Sequence, residues 1–255
     1  MKGQRVRFWT GDEKPLIVIG QEPTMNQRTK IKKRVIVARI RRAQVLYGAA
    51  FVLFATLALL AHLYAHFAWD VAATRLIQSF DQPWLLAVMR AVSVAGDGWI
   101  PYALTGTTAA VLAAMKLKRE AAHLVLSAAG GAILNNAIKL LIARPRPDAN
   151  LVKVFGSLDS KSFPSGHVMF YVAYFGFLFF VAYALLPRAT SVRLLALALA
   201  ALPVLLIGLS RVYLGLHWPS DVLGAYLISG LWLPLVLHSY RRFKEDALAS
   251  VDRRT

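Results

Sequence analysis

Six apolar runs lie between residues 45 and 237, and they leave the chain few folds to choose from. They cover about 45–65, 99–115, 121–143, 168–186, 192–209 and 222–237, the last being short. In lipid every backbone N–H and C=O must find a partner inside the protein, so a crossing segment becomes a helix of ~20 residues. The fifth run contains Pro203, which membrane helices tolerate. Composition agrees. The chain is 57% hydrophobic with mean hydropathy +0.51, against roughly 45–50% apolar in soluble domains. The excess sits in the runs, which indicates a membrane protein and not a large soluble core.

The formal charge of +17 invites a nucleic-acid reading, but its distribution argues against one. Residues 1–42 carry twelve Lys and Arg against three acids, a net +9, immediately before the first run. That is the expected cytoplasmic flank of a membrane helix, and it would attract anionic lipid headgroups. A cleaved signal peptide fits less well, because the basic region is too long and no small-residue cleavage site follows. The chain has no cysteine, which excludes disulfides, thiolate nucleophiles and Cys-ligated zinc.

The basic residues alternate with the runs. They follow the second (Lys116, Lys118, Arg119), flank the turn after the fourth (Arg188, Arg193) and follow the sixth (Arg241, Arg242, Lys244). With six crossings all of these share the side of the N-terminal tail, which the positive-inside rule makes cytoplasmic. Residues 66–98, 144–167 and 210–221 then share the opposite side. Within the first of these, Asp81, Pro83 and Trp84 resemble a helix start, and Trp84, Leu85, Val88, Met89 and Val92 fall on one face. That suits a helix lying in the interface or an ordinary packed loop helix. The expected fold is all-α: a polytopic membrane protein built as a six-transmembrane-helix bundle, with an additional extracytoplasmic interfacial helix. Residues 1–42 read as a basic cytoplasmic tail without structure, 43–240 as the helical domain and 241–255 as a cytoplasmic tail.

Three polar clusters on the extracytoplasmic side carry the candidate chemistry, and ionisable groups near membrane depth usually mark a site. In the first, Lys139 shares a helix face with Asn135 and Asn136; a lysine there can also snorkel to the surface. Arg144 and Arg146 follow, each before a proline that stops the helix. Arginine's planar fork matches phosphate oxygens. In the second, Pro164-Ser165-Gly166-His167 opens the fourth run, where free N–H groups at a helix start offer an anion site. In the third, SRVYLGLHWPSD, His217 and Asp221 stand four apart. If the helix starts at or before His217, the carboxylate can hold one ring nitrogen and leave the other as a nucleophile. If Pro219 is the first helical residue, Asp221 is an acid in the first turn, favourable to the helix dipole. His167 has no comparable partner nearby in sequence. A metal set of His167, His217 and Asp221 is disfavoured by the cations around it.

Lys139-x6-Arg146-Pro147, Pro164-Ser165-Gly166-His167 and Ser210-Arg211-x5-His217-x3-Asp221 together resemble the three-part signature of the type 2 phosphatidic acid phosphatase (PAP2) superfamily, in its membrane-bound lipid phosphatase branch. Only Arg146, not Arg144, has the family spacing from Lys139. The resemblance implies that Lys139, Arg146, Arg211, Ser165 and the Gly166 backbone hold phosphate. It implies that His217 attacks phosphorus, that Asp221 orients it, and that His167 protonates the leaving oxygen, with no metal or cofactor. The substrate it implies is a membrane lipid phosphate or diphosphate: undecaprenyl diphosphate, phosphatidylglycerol phosphate or phosphatidic acid. The expected location is a bacterial inner membrane with the site on the periplasmic side. A lipid A phosphatase or a polyprenyl-diphosphate-dependent phosphotransferase shares the motifs, and so does a vanadate-dependent haloperoxidase, whose relatives are soluble.

Overall fold

A computed structural model describes residues 25–156 and 161–252, with side chains over 37–156 and 161–243. Among the described residues all regular structure is helical. Two compact units divide at Gly48.

In the first unit the described backbone is helix from Met25 onward, the start of α1 (Met25–Leu63). Residues 25–42, expected to be unstructured, are therefore helical. The physical reason is legible afterwards. No Gly or Pro occurs between Met25 and Tyr47, and Lys, Arg, Gln and Ala are good helix formers. Residues 1–24 lie outside the described part.

The second unit contains α2 (Ala68–Gln78), α3 (Pro83–Ser93), a 3-10 turn (Val94–Gly96), α4 (Ile100–Ala114), α5 (Lys118–Ile142), α6 (Gly166–Leu185), α7 (Ser191–Tyr213) and α8 (Pro219–Asp252). Among the described residues five stretches are long and apolar enough to cross a membrane: Val37–Leu63, Lys118–Ile142, Gly166–Leu185, Ser191–Tyr213 and Pro219–Phe243. The expected second crossing is α4, at 15 residues shorter than the ~20 that a bilayer needs. The short sixth run proves to be the start of a much longer helix. An interfacial helix was expected from Pro83, and α3 begins there; α2 was not foreseen.

α6 is central and packs against α5, α7 and α8. It is apolar all round, as a helix enclosed by others must be, and buries Val168, Met169, Tyr171, Tyr174 and Phe177. Association within lipid draws on close packing and interhelical hydrogen bonds more than on apolar burial. Both occur here: Ser127 Oγ donates to the Ala173 carbonyl at 2.7 Å, and Trp232 Nε1 donates to the Ser127 carbonyl at 3.0 Å, tying α5, α6 and α8 together.

One end of this bundle is capped by α2, α3 and the loop between α5 and α6. Gln78 Nε2 donates to the carbonyls of Lys153 (2.7 Å) and Tyr213 (2.9 Å), and Ser210 Oγ to that of Met89 (2.6 Å). Gly215, at φ +64°, turns the chain between α7 and α8; a Cβ there would lie 2.0 Å from the Lys153 carbonyl oxygen. Glycine alone satisfies both demands. The opposite end holds the start of α5 and the later part of α8, where Tyr240 hydroxyl bonds Glu120 at 2.6 Å.

Candidate active site

The capped end brings together all eight side chains or backbones singled out in the sequence. All but Arg146, which lies in the loop after α5, sit at or next to a helix terminus. Ser165 is the N-cap of α6, so Gly166 and His167 are its first residues and their N–H groups have no intrahelical partner. Gly166 faces Asn135 closely, with a Cβ meeting its Oδ1 at 3.1 Å. Asn135 Nδ2 in turn donates to the Pro164 carbonyl at 3.2 Å, while Asn136 points outward. Lys139, in the last turn of α5, donates to the Lys161 carbonyl at 2.7 Å. Arg211 ends α7 and is 1% exposed.

His217, also 1% exposed, sits in the turn before α8. Its Nε2 lies 3.2 Å from Arg146 Nη1, which also donates to the Leu216 carbonyl at 2.5 Å. A guanidinium only donates, so Nε2 is the acceptor and Nδ1 carries the ring proton. Burial holds the imidazole pKa well below 6.5, and the charges of Arg146, Arg211 and Lys139 push it further down. His217 is therefore neutral, with its lone pair at Nε2. Burial likewise lowers Arg146 from the usual arginine range.

Helix α8 begins at Pro219, which puts Asp221 in the first turn, where it accepts from Trp218 N at 2.8 Å. Asp221 Oδ2 is still 3.6 Å from His217 Nδ1, near enough for charge but too far for a hydrogen bond. The carboxylate is held instead by Ser162 Oγ at 2.5 Å and Arg144 Nη1 at 2.7 Å. Arg144 reaches back through Nη2 to Asp70 at 3.0 Å, and Ser220 Oγ joins them by accepting from Arg144 at 2.6 Å and donating to Asp70 at 2.7 Å. Asp70, Arg144 and Asp221 side chains are all fully buried. The two Arg-Pro arginines thus part company: Arg144 turns into the protein behind Asp221, and Arg146 turns toward His217.

His167 differs from its sequence reading. Its Nε2 is 2.7 Å from Asp97 Oδ1, a closer carboxylate contact than His217 makes. The hydrogen bond from His167 holds the Asp97 carboxyl below its ordinary pKa, against burial. Pairing with a carboxylate therefore does not separate the two histidines, because the partner of His167 is distant in sequence. Asp97, Asp70, Ser93 and Ser162 were all missed. Gly96-Asp97-Gly98 is in sequence a plain turn, and no local spacing marks the others.

Several donors in this cluster are buried and unpartnered: Arg211 Nε and Nη2, and Ser165 Oγ. Arg211 Nη1 alone is satisfied, by Ser93 Oγ at 2.5 Å. Unmade bonds to a buried guanidinium are costly, and an anion is the kind of group that could satisfy them. Among the described residues no three His, Asp or Glu side chains gather as a metal-holding group.

A helical membrane protein whose histidines face buried, unsatisfied cationic donors belongs to the class of anion-handling membrane enzymes. The family description "PAP2 superfamily" matches residues 120–245. Phosphatidylglycerophosphatase B of Bacillus subtilis is 30% identical over 187 residues, 73% of this chain and 90% of that protein. Decaprenylphosphoryl-5-phosphoribose phosphatase of Mycobacterium tuberculosis is 35% identical over 166 residues, 60% of this chain and 80% of the other. The crystal structure of a transmembrane PAP2 type phosphatidylglycerolphosphate phosphatase from Bacillus subtilis superposes with a TM-score of 0.65 at 28% identity, covering 78% of this chain and 96% of that one. The chain belongs to the PAP2 superfamily, in its membrane-bound lipid phosphatase branch, and is a phosphoric monoester hydrolase.

Proposed function

We propose that the protein removes the terminal phosphate of a membrane lipid through a phosphohistidine at His217. The observation that carries the reading is the set of unpartnered donors on Arg211 and Ser165 beside a neutral, buried imidazole. A phosphoryl group asks for fixed positive charge around its equatorial oxygens and an in-line nucleophile. Arg211, Lys139, Ser165 and the N–H groups opening α6 supply the first. Arg146 joins them when the arriving phosphate takes over its bond to His217. The freed Nε2 lone pair then attacks phosphorus, the P–O bond to the lipid breaks, and the leaving oxygen takes a proton from His167. The phosphorylated ring keeps its Nδ1 proton, facing Asp221, whose charge stabilises it at 3.6 Å. In the second half His167, now neutral, takes a proton from water. The hydroxide attacks phosphorus, the P–N bond breaks and phosphate leaves.

Phosphatidylglycerol phosphate is the substrate favoured by the Bacillus subtilis likeness in both sequence and fold. A polyprenyl-linked phosphate is the second reading, favoured by the 35% identity to the mycobacterial enzyme. We place the site on the extracytoplasmic side of a bacterial inner membrane. The support is the run of Lys118, Arg119, Arg188, Arg193, Arg241 and Arg242 near the opposite ends of the helices. In the first unit Arg41 and Arg42 are exposed beside exposed Val45 and Leu46, a basic-then-apolar order that suits anionic headgroups above their acyl chains.

Phosphate release from phosphatidylglycerol phosphate, phosphatidic acid, undecaprenyl diphosphate and lipid A in mixed micelles tests the substrate. Release from none of them refutes the reading. Trapping of ³²P on His167→Ala but not on His217→Ala is the expected mark of the intermediate. Reporters fused after Arg242 and inserted at Asn150 should read as cytoplasmic and extracytoplasmic, and a shared side overturns the topology.

A further inference from the structure

We propose that Asp97 is a positioning residue for His167: its carboxylate accepts the Nε2–H and so commits Nδ1 to the leaving oxygen. This rests on the reading of His167 as proton donor. Asp97 lies outside the residues that the family description matches, on a segment with no sequence signature of function.

The segment is fixed to the site by several contacts. Ser210 Oγ bonds the Met89 carbonyl, Tyr171 hydroxyl bonds the Val92 carbonyl, and Ser93 Oγ accepts from Arg211. Gly96 lies against the His167 ring so closely that a Cβ would stand 2.3 Å from its Cδ2. The 3-10 turn thus packs against the Cδ2 side of the imidazole, and the next residue's carboxylate meets its Nε2.

Stability does not account for this pair. The Asp97 side chain is 50% exposed and that of His167 11%, and an ion pair so open to water contributes little to folding. A carboxylate is also unwelcome near a phosphate, which it repels. What offsets that cost is the proton: one ring nitrogen bonded to a carboxylate fixes the orientation of the ring and stabilises its charged form, leaving the other nitrogen as the donor. During P–O cleavage the proton on Nδ1 passes to the leaving oxygen while the Nε2–H stays with Asp97. In hydrolysis the same Nδ1 receives the proton from water.

The test uses aryl phosphates of graded leaving ability, from p-nitrophenyl to phenyl phosphate, on the purified full-length protein and its Asp97→Asn, His167→Ala and doubly substituted forms. Proton donation matters most for the poor leaving group. Asp97→Asn should lower kcat/KM, which is set before the hydrolysis step that all substrates share, about 10–100-fold on phenyl phosphate and less than about threefold on p-nitrophenyl phosphate, as a fraction of the usual value of acid catalysis. The double variant should be no worse than His167→Ala alone. A residue that merely supported the fold would depress all substrates alike, and its loss would multiply with that of His167→Ala; either result overturns the proposal. If His167→Ala itself loses equally across the series, the donor assignment fails and this inference fails with it. If His167→Ala is selective and Asp97→Asn is not, Asp97 alone is refuted. Asp97→Glu, which keeps the carboxylate, should recover part of the selectivity that Asp97→Asn loses.

Discussion

Arg144 and Arg146 are two residues apart in the same Arg-Pro-Arg-Pro sequence, yet the structure predicts opposite consequences for their loss. Arg144→Met would leave Asp70 and Asp221 facing a hydrophobic group, two fully buried carboxylates with no cation between them. Removing one partner of a buried ion pair costs about 3–5 kcal/mol. At about 2–4 °C per kcal/mol for a chain of this size, the melting temperature should fall by roughly 6–20 °C. Arg146→Met removes a partly exposed cation that donates to the Leu216 carbonyl and to the His217 ring. Its unfolding temperature should move by no more than about 2–4 °C, equivalent to a typical surface change. Its activity should nonetheless fall about 10²–10³-fold, the usual loss for one charge-stabilising donor. The assay is intrinsic tryptophan fluorescence on heating in detergent, paired with phosphate release at a temperature where both variants are folded. An Arg144→Met protein as stable as the parent would refute the account of the buried trio. An Arg146→Met protein that keeps its activity would refute the phosphate role.

Three shorter predictions follow from the same geometry. Gly96→Ala should displace the His167 ring, lowering kcat while leaving the melting temperature within a few degrees, because the Cβ meets a side chain at 2.3 Å and not backbone. The acid limb of kcat/KM should extend well below pH 6.5: His217 must be neutral to attack, and its depressed pKa keeps it neutral as pH falls, so an acid limb at or above 6.5 assigned to His217 would contradict its environment. Activity should persist in EDTA and be inhibited by orthovanadate, which takes the five-coordinate shape of the transition state; loss on chelation, restored by Mg²⁺ or Zn²⁺, would contradict the cationic site.

What the sequence made legible was whatever depends on short range. Apolar runs located α5 to α8 because helix length and lipid thickness are fixed numbers, and the prolines and glycines at 164–166 and 215–219 marked the turns that aim Ser165, His167 and His217. The alternation of basic residues put all three clusters at one end of the bundle, and they do meet there. What was not legible depends on contacts between distant segments. Asp97 meets His167 across 70 residues and Asp70 meets Arg144 across 74. Neither pair has a period or a spacing to announce it. The i to i+4 relation of His217 and Asp221 suggested a hydrogen bond; Pro219 starts α8 two residues after His217, and the carboxylate turns to Arg144 and Ser162.

The arrangement of charge suggests why the missed carboxylates stand where they do. Lys139, Arg146 and Arg211 near His217 present three positive charges to a phosphate monoester dianion, while Asp97 offsets the charge of His167 as proton donor. Behind them the trio of Asp70, Arg144 and Asp221 carries one negative charge inside the protein. That charge lies on the side of His217 away from Arg146, next to the ring nitrogen that keeps its proton. As Nε2 bonds to phosphorus, positive charge develops on the imidazole, and Asp221 is the carboxylate nearest to it. A hydrogen bond from Nδ1 to Asp221 would favour proton transfer onto the carboxylate; at 3.6 Å the interaction is electrostatic, and Arg144 holds the carboxylate in place. The buried ion network is on this argument a rigid support for a charge that exists only during the reaction. That is why the loss of Arg144, which touches neither His217 nor the donors facing the anion, is expected to disturb the fold first and the chemistry only through Asp221.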